Sequence, residues 1–121
     1  MGDITYDDIE GEIREERLRQ DAKWGVQNHP SVDRMLAERP GGCTPERMAE
    51  EYEIPSAERA QALCQDAAGN GDCTWAHIAV EELSEAVEAA VTSEARCREE
   101  LVQLAAVVKA WIECIDREAR P

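Results

Sequence analysis

The sequence has no phenylalanine, few β-branched residues and no long apolar run, and each shortage argues against a class of protein. No stretch alternates convincingly between polar and apolar residues, so a β-sheet fold is not expected. No apolar run approaches the ~20 residues that cross a bilayer, so we expect no contact with a membrane. The residues that are abundant, Ala, Glu, Arg and Leu, instead predict an all-α protein.

Positive charge is also scarce, with 13 Lys and Arg against 27 Asp and Glu and a formal net charge of −14. Because no Lys/Arg-rich segment concentrates positive potential on one face, direct binding to nucleic acid is not expected. The surplus of carboxylates suits a protein that collects divalent cations, one kept soluble by self-repulsion, or one that imitates the phosphates of DNA. Charge alone does not choose among the three.

The cysteines are five in number, and no two have the Cys-x-x-Cys spacing. An odd count, with no charged-then-apolar leader before the first helix, predicts reduced thiols in a cytoplasmic protein. Cys73 and His77 can share a helical face, but zinc needs four ligands and no second close pair accompanies them. We therefore expect small buried or half-buried thiols, and we expect His77 to lie at the surface.

The length of 121 residues predicts a single domain over residues 1–121, and the capping signals divide it into a bundle of about four to five helices. Thr5, with Asp8 three residues later, is typical of a helix start, and Gly25 ends this helix after about Lys23. Residues 25–43 are the least regular part, with one short helical turn expected within residues 32–38. Thr44 then begins a short helix that Pro55 ends.

The C-terminal half contains the longer predicted helices. Ser56 begins a helix that runs to about residue 68, Thr74 begins a second, and Ser93 begins a last one that runs to about residue 117. Only Thr92 and Ser93 separate the last two, so they are expected to form an antiparallel hairpin.

Two acidic residues of this hairpin fall where the helices should be buried. At 100° per residue, Glu82 shares a stripe with Trp75 and Ile78, and Glu85 lies at its border. On the last helix Glu100 begins a stripe of apolar residues, as Gln103 does beside it. Buried carboxylates cost several kcal/mol unless they are paired or bind a metal. In so acidic a chain, however, some carboxylates fall on any stripe and reach water at a helix end, and this reading stays open.

The two acidic segments resemble those of a known family. EELSE at residues 81–85, followed by EELVQ at residues 99–103, is similar to the E-E-x-x-E and E-x-x-D motifs of MazG-like all-α nucleoside triphosphate pyrophosphohydrolases, relatives of the dimeric dUTPases. Before them, RQDAKWG at residues 19–25 and KWGVQNH at residues 23–29 resemble N-terminal segments of small phage and actinobacterial members. The order of the segments also matches.

By this resemblance, Glu82, Glu85 and Glu100 are expected to be catalytic residues that bind Mg²⁺, for which Mn²⁺ should substitute. Gln103 stands where the family usually has Asp. It can ligate through its carbonyl oxygen but brings no charge, so the ion is held less tightly or Glu81 or Glu99 contributes instead.

The substrate is expected to contact a second group of residues. Trp24, in a turn, can stack on a base, or it can cap a core at a helix end. Lys23 can meet the phosphates, or it can be a surface cation favoured by the helix dipole. Gln27 and His29 can read a base or simply form the turn. Trp75 completes the substrate-binding set.

The family resemblance implies hydrolysis of a (deoxy)nucleoside triphosphate to its monophosphate and pyrophosphate, in a bacterial or phage-infected cytoplasm. Similarity to the small phage members favours purine deoxynucleotides, dGTP or dATP. Since one hairpin leaves its acidic face open, a homodimer or homotetramer is expected. The alternative is a non-enzymatic acidic helical protein, such as a DNA mimic, which would display its carboxylates outward.

Overall fold

The computed structural model describes residues 6–118, with side chains from residue 8 onward, and this part of the chain is entirely helical apart from its connections. Six helices follow one another: α1 (Tyr6–Trp24), α2 (Arg34–Ala37), α3 (Pro45–Glu51), α4 (Ala57–Gly69), α5 (Trp75–Thr92) and α6 (Glu94–Glu118). The all-α prediction is confirmed. The structure has one helix more than the four to five expected, because the short helical turn at α2 counts as a helix.

Local capping explains where most helices begin. The side chains of Thr44, Ser56 and Thr74 each accept a hydrogen bond from the backbone N–H three residues later, at the starts of α3, α4 and α5. Ser93 does the same for α6, through the N–H of Arg96. Each bond satisfies a donor that a helix terminus leaves free. The expected cap at Thr5 lies outside the described residues.

The described residues form two compact units. The first comprises residues 6–29 and 109–118, which include α1 and the C-terminal part of α6. Within it, Lys109 Nζ lies 2.8 Å from Glu10 Oε1, and Ile9 is buried. Gly25 ends α1 with a φ of 74°, a left-handed conformation that glycine adopts without strain.

The second unit comprises residues 30–108, and α5 is its central helix. It packs against α3, α4 and α6. Small side chains are buried on it, since Ser84 is fully buried and Ala86 is 2% exposed. Cys97 on α6 and Ala60 on α4 are buried as well. Small residues let the neighbouring helices approach α5 closely, and that approach positions the acidic side chains.

The hairpin of α5 and α6 confirms the expected packing of the two long C-terminal helices. Ser93 is the single residue between them, and its N–H donates to Ala89 O as the last bond of α5. A connection this short makes consecutive helices neighbours. Residues on either side of Ser93 are therefore brought face to face.

Candidate metal centre and the adjoining cleft

Three carboxylates of the hairpin converge. Glu82 and Glu85, three residues apart on α5, share a face of that helix, and Glu100 approaches from α6. One carboxylate oxygen from each of the three lies within 4.8 Å of the others. A divalent cation such as Mg²⁺ prefers oxygen ligands of this kind, so the donor set fits one.

Burial makes this cluster electrostatically costly. All three residues are half-buried, and Glu82 Oε2 and Glu100 Oε2 are buried without a hydrogen-bond partner. Burial, followed by the nearby charges of Glu100 and Glu81, raises the pKa of Glu82. Burial, then a hydrogen bond to Glu100 and the charge of Glu82, raises the pKa of Glu85 to about 7.

No ion pair within residues 8–118 offsets this cost. None of the ion pairs there involves Glu82, Glu85 or Glu100. A buried oxygen without a partner also argues against carboxylates that simply reach water at a helix end. A bound cation would give these two buried oxygens a partner.

The flanking polar residues differ in their exposure. Gln103, one turn after Glu100 on α6, is exposed, and so is Glu99. Glu81 and Glu88 are half-buried, although at 100° per residue both point away from the stripe of Glu82. For Glu88 the reason is packing between helices, because its Oε2 accepts a 2.6 Å hydrogen bond from the N–H of Ala57 at the start of α4.

An open cleft of about 400 Å³ adjoins the carboxylates. Glu85, Glu100 and Arg96 form part of its wall. The remaining wall residues are Pro45, Ala57, Glu88, Ala89 and Thr92. The cleft therefore places one cationic residue beside two of the three clustered carboxylates, an arrangement suited to a phosphate-bearing ligand.

Sequence reasoning missed Arg96 as a cleft residue, although the signal was present. Arg96 precedes Glu100 by four residues, which places both on one face of α6. No ion pair within residues 8–118 involves its guanidinium, so the group is available to a ligand.

The expected substrate-binding residues near the N-terminus belong to the first unit. Trp24, Gln27 and His29 line one cleft of about 590 Å³ together with Arg17, Gln20, Asp21, Gly25 and Val26. Trp24 is 61% exposed, and Lys23 Nζ lies 4.8 Å from the centre of its ring. This exposure argues against Trp24 as a cap on the core and leaves its ring face accessible.

The other aromatic residue of the expected substrate set lies in the second unit. Trp75 is the first residue of α5 and is half-buried. It precedes Glu82 by seven residues, about two helical turns, on the same face. Its burial agrees with the apolar stripe on which it was placed.

Two expectations about the residues before and within the first turn of α5 were wrong. Cys73, expected to be at least half-buried, is exposed because it lies in the loop before the cap residue Thr74 and not on the helix. His77, expected at the surface, is half-buried because its Nδ1 accepts a hydrogen bond from the N–H of Thr74 at 3.1 Å. This capping role holds the ring at the helix start.

Similarity to known proteins does not identify the function of this chain, so the chemistry of the site is the remaining guide. Family models, curated proteins and solved structures gave no match to the chain. No helix within residues 6–118 combines the length and apolar character needed to cross a membrane. The resemblance of the two acidic segments to the pyrophosphohydrolases stays a prediction.

Proposed function

We propose that the protein is a metal-dependent pyrophosphohydrolase that converts a (deoxy)nucleoside triphosphate to its monophosphate and pyrophosphate. The observation that carries the proposal is the convergence of Glu82, Glu85 and Glu100, with two buried oxygens that lack partners. Carboxylates held this close together repel one another, and a bound cation would relieve the repulsion. The similarity of their motifs to those of the MazG-like enzymes supports the choice of reaction.

In this proposal the three glutamates hold Mg²⁺, or Mn²⁺ in its place, and Gln103 completes the set from one turn further along α6. When bound there, the ion supplies positive charge to the triphosphate and acidifies a water molecule. Glu85 must release the proton that its raised pKa retains before it can ligate with full charge. No histidine is needed as a general base.

Arg96 takes the role of a phosphate-binding residue. It lines the same cleft as Glu85 and Glu100, so a triphosphate bound at the carboxylates lies within its reach. A guanidinium can donate two parallel hydrogen bonds to phosphate oxygens. It thereby reduces the repulsion between an anionic substrate and a chain of net charge −14.

The N-terminal residues Lys23, Trp24, Gln27 and His29 offer groups that suit a nucleotide, as does Trp75. Trp24 offers an exposed ring face for stacking on a base, and Lys23 a charge for the phosphates. Gln27 and His29 offer hydrogen bonds to base edges, and Trp75 a further aromatic contact. A purine deoxynucleotide, dGTP or dATP, is the favoured substrate.

A homodimer or homotetramer is part of the proposal. Several large apolar side chains of the second unit are exposed, among them Leu101 and Val108, seven residues apart on one face of α6. Val80 and Leu83 of α5 are exposed as well. In this proposal a second copy covers such residues. Light scattering of the purified protein measures the assembly.

The decisive experiment combines metal binding with activity. We expect Mg²⁺ or Mn²⁺ to raise the melting temperature of the wild-type protein, because a ligand that binds only the folded state stabilises it. The same protein should release pyrophosphate from at least one of the common ribonucleoside and deoxyribonucleoside triphosphates. The Glu82→Gln variant should lose both effects, whereas Glu99→Gln, which removes an exposed carboxylate, should keep them.

The opposite outcome would identify the alternative class. If metal had no effect on stability, no nucleotide were hydrolysed and the protein bound tightly to a basic DNA-binding protein, it would be an acidic mimic. The burial of oxygens of Glu82 and Glu100 argues against display of these carboxylates to such a partner.

A further inference from the structure

Cys64 and Cys73 form a close pair of thiols in the second unit. Cys64 lies in the C-terminal half of α4, and Cys73 lies in the loop just before the cap of α5. Their Sγ atoms are 3.8 Å apart, and each thiol is free. A disulfide bond is ~2.05 Å long, so the sulfurs must approach by less than ~2 Å to bond.

The chain between the two thiols can make this movement. The turn after α4 contains Gly71, which has a φ of 75° and no heavy atom within 4 Å of the position that a Cβ would occupy. Cys73 itself is exposed and outside the helices, so its side chain can rotate without moving a packed element.

The two thiols also differ in exposure, and this difference determines which thiol reacts first. Exposed Cys73 meets an oxidant in solution first. Burial, followed by the hydrogen bond with Cys73 and the charges of Cys73 and Glu81, raises the pKa of Cys64 to about 11. The influence of the Cys73 thiol disappears once its sulfur is in a disulfide, so Cys64 then ionises more readily.

We propose that Cys64 and Cys73 are a reversible redox pair that forms an intramolecular disulfide by exchange with a small-molecule disulfide. The Cys73 thiolate attacks one sulfur of the small molecule and releases its other half as a thiolate. The Cys64 thiolate then attacks Cys73 Sγ and releases the second half. Two protein thiols are oxidised, one external disulfide is reduced to two thiols, and the two protein protons go to them.

The disulfide would connect α4 to the start of α5 and brace the turn between them. Cross-linking restricts the unfolded chain, so the oxidised protein should melt several degrees higher than the reduced protein. This inference does not depend on the proposed hydrolase activity, and its readouts are chemical and thermal.

The test uses oxidised glutathione as the probe and exploits the spacing of basic residues. No Lys or Arg lies between Arg59 and Arg96, so trypsin releases Cys64 and Cys73 in one peptide with no other cysteine. After treatment of the folded wild-type protein, this peptide should lose the mass of two hydrogens, and dithiothreitol should restore it. The melting temperature should rise in the same sample.

Variants separate the two steps. In Cys64→Ser the first step still occurs but cannot be resolved, so a glutathione adduct should accumulate on Cys73. In Cys73→Ser neither the adduct nor the linked peptide should form at the wild-type rate. Cys114→Ser, a change far along the chain in α6, should leave the reaction unaltered. A stable glutathione adduct on wild-type Cys73, or a linkage of either thiol to another cysteine, would overturn the proposal.

Discussion

One carboxylate oxygen of Glu85 on α5 lies within 4.8 Å of a carboxylate oxygen of Glu100 on α6. Burial, followed by the interactions with Glu100 and Glu82, raises the pKa of Glu85 to about 7 from an ordinary value of 4.5. The two residues lie on opposite sides of the hairpin turn, yet their carboxyl groups meet. This relationship makes the stability of the metal-free protein depend on pH.

We expect the metal-free protein to lose stability as the pH rises from about 4.5 to about 7. In that window the unfolded chain has ionised Glu85 while the folded chain keeps the proton, so the unfolded state binds fewer protons and folding becomes less favourable. Above about pH 7 this contribution levels off. Melting temperatures of the wild-type protein and of Glu85→Gln measure it, and the variant should show a weaker decline. The matched variant Glu99→Gln should decline as the wild-type protein does.

Removing a charge from the carboxylate cluster should impair catalysis more than folding. Glu82→Gln and Glu100→Gln are each expected to lower turnover by at least ~10²-fold, because the site acts mainly through electrostatics. Both should leave the metal-free protein as stable or more stable, since a buried like charge is lost. Turnover is measured at saturating Mg²⁺ beside a melting curve. Near wild-type turnover in either variant would place the metal elsewhere.

Restoring an acid at position 103 should strengthen metal binding. Gln103→Asp adds a charged oxygen one turn from Glu100, so the affinity for Mn²⁺ should rise even if the shorter side chain lowers turnover. Calorimetric titration of Mn²⁺ into both proteins measures the change. Unaltered or weaker binding in the variant would mean that the side chain of Gln103 does not reach the ion.

Loss of Arg96 should weaken the reaction of every nucleotide by a similar factor. Arg96 lines the cleft together with Glu100, and a phosphate contact carries no information about the base. Arg96→Ala should lower kcat/KM by about tenfold or more, which corresponds to one strong charge-assisted hydrogen bond, and Arg96→Lys should restore part of it. The control is Arg98→Ala, an exposed arginine two residues away, which should stay within about twofold of the wild-type value. Equal losses in both would indicate only general charge steering.

Variants of Trp24 and Lys23 should separate base recognition from phosphate binding. Trp24→Ala is expected to raise KM and to reduce discrimination between bases, because stacking contributes roughly 1–3 kcal/mol in substrate and transition state alike. Lys23→Ala should lower kcat/KM for all nucleotides equally. Since Trp24 is 61% exposed, its loss should alter the melting temperature little. A fall of several degrees with normal kinetics would make Trp24 a structural residue.

The helices and part of the site follow from local sequence. Thr44, Ser56 and Thr74 begin their helices because a hydroxyl two or three residues before a free N–H can satisfy it without distant contacts. The spacing of Glu82 and Glu85 places them on one face of α5 for the same local reason. A single-residue connection then makes the α5–α6 hairpin almost unavoidable.

Only the tertiary structure decided which distant groups meet. Glu88 is half-buried because its carboxylate accepts a hydrogen bond from the N–H of Ala57 on α4. Cys64 lies beside Cys73 because of the path of the turn between them, which sequence periodicity does not predict. The burial of single oxygens of Glu82 and Glu100 likewise depends on how closely the helices approach. Sequence periodicity fixes the direction of a side chain about its own helix. The distance to a neighbouring helix depends on the packing of small residues such as Ser84 and Ala86, which the chain achieves only when folded.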